Sequence, residues 1–413
     1  MREEPEVESR VRAAPVISVA LYAQLVATGM TTYGMGVFLK PVAEAFGSSR
    51  LAVSAGATIF TVTAGCVAPI VGRLVDRWGV RPVMLSGALW LGLGTAAMGA
   101  TGALWQIGIL LVIGMGVGAT CAGTIPSNTL VVRRFSPTPA RALGIVATGS
   151  SLGGVVVPPL AAALLVAVGW RGALAVLGFG AALTLAPLVG WLVPGRDSSA
   201  RLPPLGSPAS GKAPSAANAL RVPAFWLIAL AIGILYSTNT ALLVHVIPFA
   251  TDLGIETQRA AVLVSLFAAA SVAGKLAYSA VGGRFDVRAP LFMAALIQLV
   301  SLPALTLAPR FATLACVVVL NGLGTGAVLP TWSALIAACF ETERFGEILG
   351  WMRLFTLPIM NIGLLFTARV RDVTGVYTLA WLALAATAVL AGLLPLWLRV
   401  PSGARGSGGS KAP

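Results

Sequence analysis

Charge is scarce in this sequence, and so are the residues that do most enzyme chemistry. Of its 413 residues 10% are charged, where a soluble domain carries about 25%. There is one histidine, His245, and there are four cysteines, Cys66, Cys121, Cys316 and Cys339, none at metal-ligand spacing. The fourteen acids stand near the ends of apolar runs or outside them, so no paired carboxylates share the middle of a run. Hydrolytic and metal chemistry therefore lack their parts, and neither an enzyme nor a cofactor is expected. The cysteines read as small packing residues.

What the chain has in abundance is apolar surface. Hydrophobic residues make up 57% of it, with 47 glycines and 26 prolines. A globular core cannot hide so much, so the solvent for most of the chain is lipid, where helices tolerate Pro and use Gly for close contact. Runs of about 20 apolar residues, the length that crosses a bilayer, fall near 16–39, 52–72, 83–101, 105–131, 142–167, 172–194, 222–249, 260–283, 289–308, 311–338, 346–368 and 376–398. The fold class is thus an all-α integral membrane protein of twelve transmembrane helices. The first twelve residues are charged and no small-residue cleavage site follows a short apolar core, so the first run is expected to stay as a helix.

The net charge of +14 would suit nucleic acid in a soluble protein. Here the basic residues sit in short loops, and a bilayer is the partner instead of nucleic acid. With the N-terminus inside, nineteen of the 28 Lys and Arg residues fall on the cytoplasmic side, seven outside and two within runs. That bias places both termini in the cytoplasm of a cell (inner) membrane protein. The expected layout is a 1–15 arm, a six-helix bundle at 16–194, a linker at 195–221 rich in Pro, Gly and Ser, a second bundle at 222–399 and a disordered tail at 400–413.

The halves repeat at an offset of 205–207 residues. Pro41 and Gly47 correspond to Pro248 and Gly254, the segment from Arg77 to Arg81 to that from Arg284 to Arg288, Phe135 to Phe340, and Gly169 to Gly375. Four landmarks in one order argue for a duplicated six-helix unit, and six being even, the repeat is parallel.

After the second run stand Gly72, Asp76, Arg77, Gly79 and Arg81. The spacing resembles the signature of the major facilitator superfamily, which implies close helix contact at the Gly and a cytoplasmic latch made by the Asp and Arg residues. A positive-inside loop with a turn glycine would need some of the same residues. In the second copy Ser279 and Gly283 replace Gly72 and Asp76, leaving Arg284 and Arg288, so a clamp there should be weaker or rely on Asp286. A finer series covers most of the chain: Tyr33 to Pro41, Arg133 to Phe135, Arg141 to Gly144, Gly149 to Gly153, Pro158 and Pro159, Gly169 to Arg171, His245 to Pro248, Asp252 to Gly254, Gly274 and Lys275, and Asp372 to Gly375. Together these resemble the monocarboxylate transporter family and its bacterial oxalate/formate exchanger relatives.

Lys275 and Arg353 are the chemically informative residues. Lys275 lies nine residues before Arg284, about 13 Å from the inner boundary, and Arg353 eight residues after Phe345, about 12 Å from it. Both stand near the middle of a hydrocarbon core about 30 Å thick, where a charge costs at least ~2.5 kcal/mol. No acid falls at that depth, which leaves room for a substrate anion. The resemblance implies the same: the relatives carry a substrate-binding cation in helix 8, matched by Lys275, and the oxalate exchanger one in helix 11, from which Arg353 stands one residue out of register. Snorkelling to a boundary is the alternative for Lys275. For Arg353 it is binding to carbonyls freed by Pro358, or pairing with Glu347.

Other candidates are mid-depth polar residues that could complete the solvation of a carboxylate: Tyr33, Thr124, Asn128, Ser150, Ser151, Tyr236, Asn239, Trp332, Ser333 and Asn361. Interhelical hydrogen bonding is the alternative for each. His245 lies at the outer end of its run, about 34 Å from the inner boundary, so an outer-gate role beside Asp252 suits it better than a central proton site. The expected gating and coupling set is Asp76, Arg77, Arg81, His245, Asp252 and Arg284.

The sequence thus points to a monomeric secondary active transporter, two bundles with a midplane site, moving a small carboxylate by alternating access with proton coupling. The carboxylate could be a monocarboxylate such as lactate or pyruvate, or a dicarboxylate. A carboxylate exchanger, a drug exporter and a non-transporting membrane sensor are the competing readings.

Overall fold

A computed structural model describes residues 4–48, 50–135, 139–195, 219–281, 284–307, 310–340, 342–398 and 400. Most of the 195–221 linker, the tail from 401 and Gly283 lie outside the described residues. Helix α1 is built from Glu4–Thr28, a wider π-type segment Gly29–Tyr33, and Met35–Ala45. It begins well ahead of its apolar run, because apolarity locates the part that crosses lipid, while helix formers such as Glu, Arg and Ala carry the helix further.

Next come α2 (Arg50–Trp78) and α3 (Val80–Met98). Helix α4 is assembled from Leu104–Leu110, a second π-type segment Leu111–Val117, Gly118–Ala122 and Thr124–Arg134. The stretch Ala140–Leu192 breaks at Gly169, where φ is 71° and ψ 173°, into α5 (140–168) and α6 (170–192). The second half supplies α7 (Pro223–Asp252), α8 (Thr257–Val281), α9 (Ala289–Leu307), α10 (Phe311–Cys339), α11 (Phe345–Thr374) and α12 (Thr378–Leu393). Among the described residues ten helical stretches are long and apolar enough to cross a membrane by length and hydropathy. One of them is the pair α5 and α6, and α3, with 19 residues, completes the twelve.

The chain forms two compact units. The first comprises residues 1–211 together with 342–351, and the second 212–341 with 352–413. The head of α11 therefore groups with the first unit.

Within the first unit α1 lies against α5 at backbone distance. A side chain at Gly149 would run into the Leu21 carbonyl, and one at Gly153 into that of Leu25, at 2.5 Å. In lipid such contact matters because van der Waals packing, not the hydrophobic effect, holds helices together. The second unit has a core of Leu242, Val246, Phe249, Leu302, Leu314, Val317, Trp381 and Leu384. Large apolar side chains on the outer faces, such as Val166 (89% exposed) and Leu307 (83%), suit contact with acyl chains.

The repeat is visible in the backbone. Gly47 and Gly254 have φ of 59° and 79°, and Gly169 and Gly375 have 71° and 74°. All four are left-handed turn positions that strongly favour glycine, which explains why these landmarks stand out in the sequence.

Candidate functional site

Lys275 lies in the C-terminal third of α8, six residues before its end at Val281, and is 5% exposed. Its neighbours on that helix include Ser271, Tyr278 and Ser279, all buried, so α8 carries a polar stripe inside the second unit. Helix α10 contributes buried Thr325, Thr331, Trp332 and Ser333. The Trp332 indole donates to the sulfur of Met352 at 2.9 Å. Arg353 on α11 is half-buried and lies within electrostatic reach of Tyr236, itself half-buried on α7. Asn239 is buried on α7, where its amide donates to the Leu235 carbonyl at 2.9 Å. Asn361 donates to the Leu357 carbonyl on its own helix.

The remaining polar candidates belong to the first unit. Asn128 is buried and accepts a hydrogen bond at 2.9 Å from the side-chain amide of Gln24. Ser150 is turned onto the Ala147 carbonyl at 2.8 Å. Tyr33, at the end of the π-type segment, is 41% exposed and packs its ring over Gly154. Ser151 is buried and Thr124 half-buried. Gln24 was not picked out from the sequence, although it is the one side-chain amide in the first apolar run. Tyr278 and Ser271 were missed because both occur at helical spacing on a mostly apolar helix.

The loop signature has a definite geometry. The Asp76 carboxylate takes a hydrogen bond from Arg133 at 2.7 Å and two more from the backbone N–H groups of Gly346 (3.1 Å) and Glu347 (2.6 Å). Those two N–H groups are unsatisfied donors of the first turn of α11, and the helix dipole adds to their pull on the acid. Gly72 lies against the Gly346 backbone, leaving no room for a side chain there. The Arg partner of Asp76 is Arg133, while Arg77 is exposed and Arg81 donates to the Gly190 carbonyl. Glu347 faces Arg73 at 3.5 Å, so the ion pair suggested for Arg353 with Glu347 is not the one formed.

In the second copy, Arg288 binds Asp286 at 2.7 Å and also reaches the carbonyls of Pro395 and Leu398. The carboxylate's hydrogen bonds hold the Arg288 guanidinium above its usual pKa. Arg284 is exposed. At the other end of the second unit, Asp252 pairs with Arg371 at 2.9 Å, and Arg371 stands over the Tyr377 ring. His245 packs its ring 5.7 Å from that of Tyr377 and contacts the Leu364 carbonyl at 3.3 Å. His245 and Asp252 thus join one cluster through Tyr377 and Arg371. Among the described residues no three His, Cys, Asp or Glu side chains converge to hold a metal ion.

Comparison with known proteins agrees with this architecture. The Major Facilitator Superfamily profile matches residues 21–257 and 232–412. An MFS-type transporter of Bacillus subtilis, YcxA, is 27% identical over 173 residues, 41% of this chain and 42% of its own length. Monocarboxylate transporter 11 of Mus musculus is 28% identical over 245 residues, 59% of this chain and 53% of its own. The chain thus spans about half the length of these relatives.

Among solved structures, the human organic anion transporter MFSD10 (TETRAN) superposes with a TM-score of 0.69 at 18% identity, covering 94% of this chain and 99% of the other. The Escherichia coli fucose:proton symporter FucP gives 0.69 at 15%, covering 94% and 98%. At such identities the likeness establishes the fold alone. With the profile spanning nearly the whole sequence, the chain belongs to the Major Facilitator Superfamily and is a multi-pass membrane protein.

Proposed function

We propose that this protein is a secondary active carrier of a small organic anion, a carboxylate, working by alternating access with proton coupling. The observation that carries the reading is Lys275, a cation buried within the C-terminal third of an apolar helix. Such a charge is costly in a bilayer and is retained where it does work on a solute or ion. Arg353, in the same unit, supplies a second cation beside Tyr236. Hydroxyls and amides on α7, α8 and α10 are of the kind that complete the solvation of a carboxylate. The names of the monocarboxylate transporter relatives support the same substrate class. On this reading the protein sits in the cell membrane with both termini in the cytoplasm.

The test is uptake into proteoliposomes of labelled lactate, pyruvate, formate, oxalate and succinate, with and without a pH gradient or internal counter-substrate. Lys275→Ala should fold and lose anion transport; unchanged uptake would remove the central claim. A pH-gradient requirement supports symport, and a counter-substrate requirement supports carboxylate exchange.

Efflux of amphipathic compounds is the second reading. It is favoured by a relative named Agnestins efflux protein AgnL12, from Paecilomyces divaricatus, 25% identical over 358 residues and 85% of this chain. A broad, charge-insensitive substrate range unaffected by Lys275→Ala would select it.

A further inference from the structure

Helices α8 and α10 meet without intervening side chains where Lys275 is anchored. A Cβ built on Gly326 of α10 would stand 3.0 Å from the Lys275 backbone nitrogen and 3.1 Å from the Gly274 Cα, and would collide with the Ser271 carbonyl. A Cβ on Gly274 would collide in turn with the Leu323 carbonyl of α10. The peptide that carries Lys275 is therefore wedged against main chain on the facing helix. Main chain in a helix cannot rotate away as a side chain can, so the seam leaves the lysine stem one starting point.

The duplication reinforces the point. At the offset of 207 that relates α8 to α2, Lys275 and Gly274 correspond to Ala68 and Val67. At the offset of 205 that relates Phe340 to Phe135, Gly326 corresponds to Cys121. The copy without the cation also lacks both glycines. Close packing alone does not account for this pattern, because the first unit packs helices at backbone distance elsewhere, through Gly149 and Gly153.

We infer that Gly326, with Gly274, is a positioning residue: it sets the depth and exit direction of the Lys275 ammonium, and through it the affinity for the transported anion. This rests on the proposed role of Lys275. A buried lysine on a four-carbon stem offers a point charge with little geometric preference of its own, so its location must come from the backbone. Misplacement of a binding group by about 1 Å is enough to cost up to a hundredfold.

Gly322 supplies the control. It lies one turn away on the same seam, and a Cβ there would meet the Phe267 carbonyl at 2.5 Å and the Ala270 Cβ at 2.9 Å, neither of them part of Lys275. Gly326→Ala and Gly322→Ala therefore disturb the same helix pair to a similar degree, but only the first touches the peptide of the cation.

The experiment measures KM and maximal rate for lactate uptake in proteoliposomes, with the thermal midpoint of each purified variant. Gly326→Ala should raise KM about tenfold with little change in maximal rate, while Gly322→Ala lowers the midpoint similarly and leaves KM within about twofold. Equal KM shifts in both, or an unchanged KM in Gly326→Ala, would overturn the inference. If Gly326→Ala does not fold, Lys275→Arg decides: it keeps the charge but lengthens the reach. A fixed anchor predicts a KM at least about tenfold higher, and wild-type transport by Lys275→Arg would overturn it. Lys275→Ala, run alongside, tests the anion reading separately. If uptake persists there, that reading falls first.

Discussion

Arg81, in the first turn of α3, donates a hydrogen bond to the main-chain carbonyl of Gly190 in the last turn of α6. Its counterpart 207 residues on, Arg288, does the same for Pro395 after α12, at 3.4 Å, and for Leu398 at 3.2 Å. The last carbonyls of a helix have no partners within it, and the helix dipole places partial negative charge there. A guanidinium with five donors in a fixed fork suits that place better than a lysine. The second basic residue of the signature, expected in the latch, acts here as a helix cap.

Both arginines should therefore contribute to stability in their own units. Arg81→Ala and Arg288→Ala are each expected to destabilise the protein by about 1 kcal/mol, read as a lower thermal midpoint in detergent. Arg288→Ala should cost the more, since it also leaves the Asp286 carboxylate without its ion-pair partner. Arg77→Ala, on an exposed side chain, is the control and should change little. Equal midpoints for all three variants would refute the capping role.

Asp76 receives three hydrogen bonds, from Arg133 and from two backbone N–H groups of α11. The Asp76 side chain is 10% exposed and that of Arg133 21%, so removing the acid takes the ion-pair partner from a largely buried cation, which keeps the Glu343 carbonyl, and strands two backbone donors. Asp76→Ala should cost about 3 kcal/mol, and Asp76→Asn, which keeps one acceptor oxygen, about half as much. Combining Asp76→Ala with Arg133→Ala should cost clearly less than the two separately, because the uncompensated charge disappears. Strict additivity in a thermal-unfolding cycle would show that the pair is not coupled.

Gly169 and Gly180 predict opposite outcomes for one chemical change. At Gly169 the positive φ makes any Cβ strained, and Gly169→Ala should cost about 1–2 kcal/mol. Gly180 is helical with nothing within 4 Å of an added Cβ, so Gly180→Ala should be neutral or stabilise by up to about 1 kcal/mol. Thermal midpoints of the two variants check this, and a fall for Gly180→Ala as large as that for Gly169→Ala would contradict it.

These residues also show what could be read from the sequence. Gly47, Gly169, Gly254 and Gly375 were legible as repeat landmarks because a positive φ leaves little choice of residue. Twelve apolar runs were legible because lipid demands length and apolarity together. Lys275 was legible as a charge at a depth where charges are expensive. The pairing of Gln24 with Asn128, 104 residues away, was not. Neither was that of Ser237 with the backbone of Gly363, across 126 residues. One residue turns a side chain about 100° around a helix, so such contacts depend on helix rotation that apolar periodicity leaves loose. The π-type segments of α1 and α4 escaped for a related reason: a wider turn changes hydrogen-bond register without changing composition.

Gln24 and Ser127 give the last prediction. Gln24 Nε2 donates to Asn128 Oδ1, which fixes the orientation of the amide, while Gln24 Oε1 and Ser127 Oγ are buried with no hydrogen-bond partner among the described residues. Ala27, three residues after Gln24, faces Gly123, four residues before Ser127, so both polar groups belong to the seam between α1 and α4. A buried group that makes no hydrogen bond costs about 1–3 kcal/mol in desolvation, and deleting it removes that cost. Ser127→Ala should therefore leave the thermal midpoint unchanged or raise it. Gln24→Leu should lower it, because Asn128 Oδ1 loses its donor inside the bundle. A clear fall with Ser127→Ala would mean that the hydroxyl carries a hydrogen bond within the folded bundle.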